Sequence, residues 1–153
     1  MTINKELSLT ISIEINACPE AVWDAITNPE KVKIYFFGMN LITDWKAGNP
    51  ISFEGEYEDN KYKDKGHVIK IEKAKYLVYD YWSSFSQLED VADNYSTVIY
   101  ELQRNDKSTI LNLSQIGFAT PEAKAHSIEA WNMILEKMKE LVENDKPNEF
   151  LYI

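Results

Sequence analysis

The chain has 153 residues, of which 44% are hydrophobic and 27% are charged, an ordinary composition for a globular protein with a core of its own. Its formal net charge is −9, and its 16 basic residues are scattered among 25 acidic ones, which argues against nucleic acid as a partner, because that partner needs clustered Lys and Arg. There is no apolar run of the ~20 residues that cross a bilayer, so we expect no membrane contact. The sequence shows no signal-peptide pattern and has a single cysteine, so we expect a reducing, cytoplasmic location.

The first predicted element is a long strand from Glu6 to Asn16, in which apolar and polar residues alternate strictly. Pro19 and Pro29 then suit the first turn of a helix, where the missing N–H is harmless, and an acidic residue follows each proline. Asn28 is a suitable cap for the second of these helices. Two short helices are therefore predicted after the first strand.

A series of strands at intervals of about ten residues, with no helix between them, predicts an antiparallel meander. The strand segments are MNLITDW, ISFEGEY, GHVIKIE, YLVYDYWSS, STVIYELQ and STILNLSQIGF. The densest basic group, NKYKDKGH over Asn60 to His67, is interpreted as a solvated hairpin end. From Pro121 to about Val142 one apolar stripe predicts a long amphipathic helix, which Pro147 in the tail is expected to end.

These segments resemble the START-like (SRPBCC) superfamily, which has the birch-pollen-allergen fold, and within it the bacterial homologues of the activator of the heat-shock-protein-ninety ATPase. The resemblance is carried by PEAVWDAITNPEKV, which is the most specific motif, and by DWKAGNPISFEG, GHVIKIEKAKYLVYDYW, STVIYEL, STILNLSQIG and Trp131. The chain departs from the family pattern at Ser108, at Ala130, and at Tyr35 and Phe36.

The resemblance implies one α+β domain over residues 1–153. Its fold would be a helix-grip, in which a curved antiparallel β-sheet wraps around a long C-terminal α-helix and the two short helices close one end. In this superfamily the enclosed space is commonly a cavity for an apolar ligand.

No catalytic or metal-binding motif stands out in the sequence. There is no H-E-x-x-H, C-x-x-C or glycine-rich phosphate loop, so we expect no metal and no cofactor. Cys18 and His126 fit structural or rim positions, and His67 fits a partly exposed strand position. Glu54, His67 and Tyr57 are the acid–base candidates, but the pattern does not assemble them into a catalytic set.

Aromatic and polar residues on the predicted inner faces suggest a binding site, although core packing explains each of them singly. Tyr57, Tyr100 and Gln115 should face the long helix, and polar groups there fit a cavity that orients a mostly apolar ligand. The predicted ligand-binding residues are Phe53, Tyr57, His67, Trp82, Tyr100, Gln115, Trp131 and Met138.

Three functions remain open. The preferred one is a non-catalytic module that binds a small lipophilic or aromatic molecule. The second is an enzyme acting on a polyketide-like or other hydrophobic substrate in the same cavity. The third is a co-chaperone of a heat-shock ATPase in the stress response. This hypothesis is weakened because the eukaryotic activator contacts its chaperone through a separate N-terminal domain that this chain is not expected to hold.

Overall fold

The computed structural model describes residues 2–145, apart from the side chain of Tyr57. Within this range the order of elements is β1 (Asn4–Ile15), α1 (Pro19–Thr27), α2 (Pro29–Tyr35), β2 (Asn40–Thr43), β3 (Pro50–Tyr57), β4 (Asn60–Glu72), β5 (Tyr76–Tyr81), β6 (Ser96–Asn105), β7 (Ser108–Phe118) and α3 (Pro121–Asn144). The tail with Pro147, predicted to end the long helix, lies outside the described residues.

The seven strands form one antiparallel sheet with the order β1-β7-β6-β5-β4-β3-β2, and the sheet curves around α3. This is the α+β helix-grip that the sequence predicted. The hairpin between β6 and β7 turns at Asp106, whose positive φ of 57° suits a tight connection between strands.

A glycine in the middle of β4 allows this strand to lie close to β5. β4 pairs with β3 through His67 and with β5 from Val68 onward. At Gly66, a Cβ atom would lie 1.8 Å from the carbonyl oxygen of Asp80, so no larger residue fits this backbone.

The two short helices are fixed by local hydrogen bonds. The Asn28 side chain accepts from the backbone N–H of Glu30 and caps α2. The hydroxyl of Tyr35, at the end of α2, donates to the carbonyl oxygen of Ala25 in α1 at 2.7 Å. Tyr35 is fully buried, so this bond holds the α1–α2 corner against the core.

One part of the sequence interpretation holds only for the start of its segment, since Asn60 pairs with Tyr57 at the exposed β3–β4 turn. The segment from Asn60 to His67 continues from this turn as the first half of β4, and Asp64 within it is buried. Its lysines alternate with inward-facing residues, so only one side of the segment faces solvent.

Candidate functional site

A cavity of about 520 Å³ lies between the sheet and the first half of α3. Strands β3 to β7 form one wall, α3 forms the opposite wall, and the loops after α2 and β5 complete the border. The lining residues are Phe36, Phe37, Met39, Phe53, Glu56, Tyr62, Asp64, Tyr79, Tyr81, Ser83, Phe85, Val98, Gln115, His126, Ser127, Ala130, Trp131 and Ile134.

Aromatic rings form most of the apolar surface of this cavity. Phe53 lies 5.4 Å from the ring of Tyr79 and 5.7 Å from that of Tyr81. On the helix side, Trp131 meets Phe36 edge-to-face at 5.8 Å. Tilted and edge-to-face contacts are the favoured arrangements of aromatic pairs, so the walls are well packed around the open space.

Two loops bring aromatic side chains to the mouth of the cavity. After α2, Phe37 (φ 55°) and Gly38 (φ 75°) both take left-handed conformations and reverse the chain into β2. After β5, Phe85 packs on Tyr62 at 5.5 Å. Phe37 and Phe85 are half-exposed and line the cavity, which therefore meets solvent between these loops.

A polar bridge joins the sheet to the helix along one side of the cavity. The indole N–H of Trp131 donates to Gln115 Oε1 at 2.8 Å, and Gln115 Nε2 donates to Ser96 Oγ at 3.2 Å. All three side chains are buried. Because both ends of its amide are hydrogen-bonded, the polar side chain of Gln115 is tolerated on the inner face of the sheet.

A buried carboxylate lies on the opposite side of the cavity. Asp64 is 6% exposed, and its carboxylate accepts hydrogen bonds from the Tyr81 hydroxyl at 2.5 Å and from the Ser84 backbone N–H at 3.0 Å. The second bond ties β4 to the loop that carries Phe85. Asp64 therefore helps to fix the mouth of the cavity.

The phenols of the cavity wall remain protonated well beyond neutral pH. Burial, and then the negative charge of Asp64, raises the pKa of Tyr81 well above its ordinary range, and the same two causes raise the pKa of Tyr62. Burial also raises the pKa of Tyr79 and of Tyr100. These hydroxyls are consequently neutral hydrogen-bond donors.

Three of the eight predicted ligand-binding residues, Phe53, Gln115 and Trp131, line the cavity. Tyr100 is buried behind its wall, with its ring 6.0 Å from Trp131. Met138 is fully buried farther along α3, outside the lining.

The remaining predicted residues do not line the cavity or cannot be placed. His67 is exposed, with Nδ1 3.2 Å from an Asp80 carboxylate oxygen. The indole N–H of Trp82 donates to the carbonyl oxygen of Leu88 at 3.3 Å, within the loop after β5. The side chain of Tyr57 lies outside the described part of the structure.

The acid–base candidates of the sequence are not brought together where they are described. Glu54 pairs with Lys63 across the strands at 3.7 Å, whereas His67 pairs with Asp80. Within residues 2–145, no group of three or more His, Cys, Asp and Glu side chains could hold a metal ion. In the same range, none of the helices combines the length and apolarity needed to cross a membrane.

Sequence reasoning missed Asp64, Tyr62 and the loop residues Phe37 and Phe85. The signal for Asp64 was present in KYKDKG, where lysines alternate with Tyr62, Asp64 and Gly66, the pattern of a strand with two unlike faces. No comparable signal marked the loop aromatics, because their position depends on how distant loops meet.

The sequence matches the family model described as Activator of Hsp90 ATPase homolog 1-like protein over residues 16–143. Among curated proteins, none matches significantly.

Solved structures of similar fold span nearly the whole chain. A protein from Cytophaga hutchinsonii, solved in solution, is 34% identical, with 94% of this chain and 97% of that chain covered and a TM-score of 0.78. A crystal structure from Nitrosomonas europaea is 20% identical, covers 94% and 99%, and has a TM-score of 0.73. The Aha1 dimer from Colwellia psychrerythraea is 14% identical, covers 90% and 96%, and has a TM-score of 0.72. The last two show likeness of fold alone.

Proposed function

Because the chain belongs to the family described as Activator of Hsp90 ATPase homolog 1-like proteins, we propose that it uses this fold as a cytoplasmic binding module. Its ligand is a small lipophilic or aromatic molecule, held in the cavity between the sheet and α3. Binding, rather than chemical conversion, is the role of the cavity.

The observation that carries this proposal is the cavity itself. Its volume of about 520 Å³ falls within the ~300–1,000 Å³ of small-molecule sites. Of the eighteen described residues that line it, eight are aromatic. Such walls favour a ligand with aromatic or other apolar surface, because burial of that surface drives the association.

The polar groups of the wall support binding over catalysis. Gln115 is engaged by Trp131 and Ser96, and Asp64 is engaged by Tyr81 and Ser84. Groups that hold one another in fixed positions give a shaped and oriented site. A general acid or base would instead need to lie within hydrogen-bond reach of the substrate proton that it transfers.

Native mass spectrometry of the protein purified from its own host tests the proposal. We expect a retained small molecule that is released on denaturation. Ala130→Phe should remove it, because Ala130 on α3 lines the cavity and the larger side chain fills the space. Ala125→Phe on the exposed side of the same helix is the matched control and should retain the molecule.

Two results would contradict binding in this cavity. One is a wild-type protein that carries no small molecule and whose melting temperature does not respond to any member of an apolar ligand library. The other is a molecule retained equally by Ala130→Phe. Stimulation of a heat-shock ATPase by the protein, undiminished in Ala130→Phe, would instead support the co-chaperone role.

A further inference from the structure

The described cavity lining is acidic and contains no Lys or Arg. Asp64 is a buried carboxylate, and Glu56 is an exposed one at the border. The alternation of β4 accounts for this, because it directs the neighbouring lysines to the other face. There Lys63 pairs with Glu54 at 3.7 Å, and Lys65 pairs with Asp90 at 2.5 Å.

Asp64 lacks the cationic partner that buried carboxylates usually have. Its hydrogen-bond donors in the described structure are neutral: the Tyr81 hydroxyl, the Ser84 N–H and the Ser84 hydroxyl, which lies at 3.4 Å. It forms no ion pair with a described residue, although charged groups are expensive to bury unless paired. A carboxylate has about four acceptor positions, so one more donor can be accommodated.

We propose that the cavity selects apolar ligands that carry a protonated amine, and that Asp64 is the carboxylate with which the amine pairs. This inference rests on the proposed function, since it concerns the same cavity. The rings of Tyr81 and Tyr62 also line the cavity, and aromatic rings attract cations that approach their faces. A carboxylate on the same apolar skeleton would be repelled by Asp64 and would meet no Lys or Arg in the described lining.

Three pyrene probes with one skeleton and different charges provide the test. They are 1-pyrenemethylamine, which is cationic, 1-pyrenemethanol, which is neutral, and 1-pyrenecarboxylate, which is anionic. Binding of each to the full chain at neutral pH is followed by the fluorescence anisotropy of the pyrene. We expect the amine to bind about tenfold more tightly than the alcohol, as for a charge-assisted hydrogen bond, and the carboxylate to bind more weakly than either.

Two charge-neutralising variants test whether the amine preference depends on Asp64. Asp64→Asn keeps the shape and a hydrogen-bonding group, and should bring the amine and the alcohol to similar affinities. Glu54→Gln removes the same charge from the opposite face of the adjacent strand and should keep the tenfold preference. If Asp64→Asn does not fold, the three probes on the wild-type protein still decide whether the amine is preferred.

Binding of the neutral 1-pyrenemethanol distinguishes a failure of the charge selectivity from a failure of the proposed binding function. If the three probes bind alike, or the carboxylate binds best, the charge selection is refuted while the binding module stands. An amine preference that persists in folded Asp64→Asn refutes the role of Asp64. If no probe binds, the amine selectivity is refuted, and the retained-molecule experiment decides the proposed function separately.

Discussion

Replacing Trp131 with alanine is expected to lower the free energy of unfolding by roughly 3–5 kcal/mol, the range for truncating a buried large aromatic side chain. Trp131 is 6% exposed and its ring contacts Phe36 and Tyr100 at 5.8 and 6.0 Å. The substitution also leaves Gln115 Oε1 without the indole donor that lies 2.8 Å away. For a chain of this size the melting temperature should fall by roughly 6–20 °C.

Trp131→Phe separates the hydrogen bond from the packing. It keeps an aromatic ring but removes the donor, so we expect a loss of about 1–3 kcal/mol, chiefly for a buried acceptor left unpaired. If the bond is the cause, the combined variant Trp131→Phe/Gln115→Leu should be less destabilised than the two single changes added together, by about 1 kcal/mol.

The assay is urea denaturation followed by far-UV circular dichroism, which does not depend on the fluorescence of the residue being replaced. Wild type is compared at one temperature and pH with Trp131→Ala, Trp131→Phe, Gln115→Leu and the double variant Trp131→Phe/Gln115→Leu. An unchanged unfolding midpoint for Trp131→Ala would refute the view that this side chain belongs to the core. Strict additivity in the double variant would refute a stabilising Trp131–Gln115 bond.

Three further outcomes follow from the structure. Gly66→Ala should destabilise the protein by more than ~1 kcal/mol, because the new Cβ meets the Asp80 carbonyl oxygen, and a wild-type urea midpoint would contradict this contact. The free energy of unfolding should fall as the pH rises above about 10, because Tyr81 keeps its proton in the folded state at pH values where it loses it in the unfolded state. Tyr81→Phe should make this fall less steep. An equally steep fall of the unfolding free energy with pH in Tyr81→Phe would argue against the raised pKa of Tyr81. The protein should not be retained on DNA at physiological salt, since its net charge is −9; retention would overturn the exclusion of nucleic acid.

The elements of the fold could be predicted because their signals are local. The alternation in β1 specifies a strand with one buried face, and the pair Pro19 and Pro29 marks two helix starts in neighbouring positions. The apolar stripe of α3 was also found, and the helix extends to Asn144, two residues beyond the predicted Val142.

The site was harder to predict because its lining depends on contacts between distant segments. Phe53, Gln115 and Trp131 could be placed by periodicity, since each follows the inward face of its element. Periodicity alone did not separate a cavity wall from solid core, as Met138 shows by being fully buried outside the lining. His67 lies outside the lining because the alternation of β4 puts it on the outward face with Lys63 and Lys65, whereas Asp64 and Val68 are buried.

If the cavity binds a ligand as proposed, the two loops that border it separate ligand choice from the stability of the fold in evolutionary terms. Phe37 and Phe85 are half-exposed, so substitutions there remove little buried surface, yet both side chains shape the entrance. On the proposed function, changes in the loops after α2 and β5 could alter the ligand, whereas Trp131 and Gly66 are constrained by packing. We expect natural variation among homologues to concentrate at these entrance positions, and the same positions offer the safest start for engineering a new specificity.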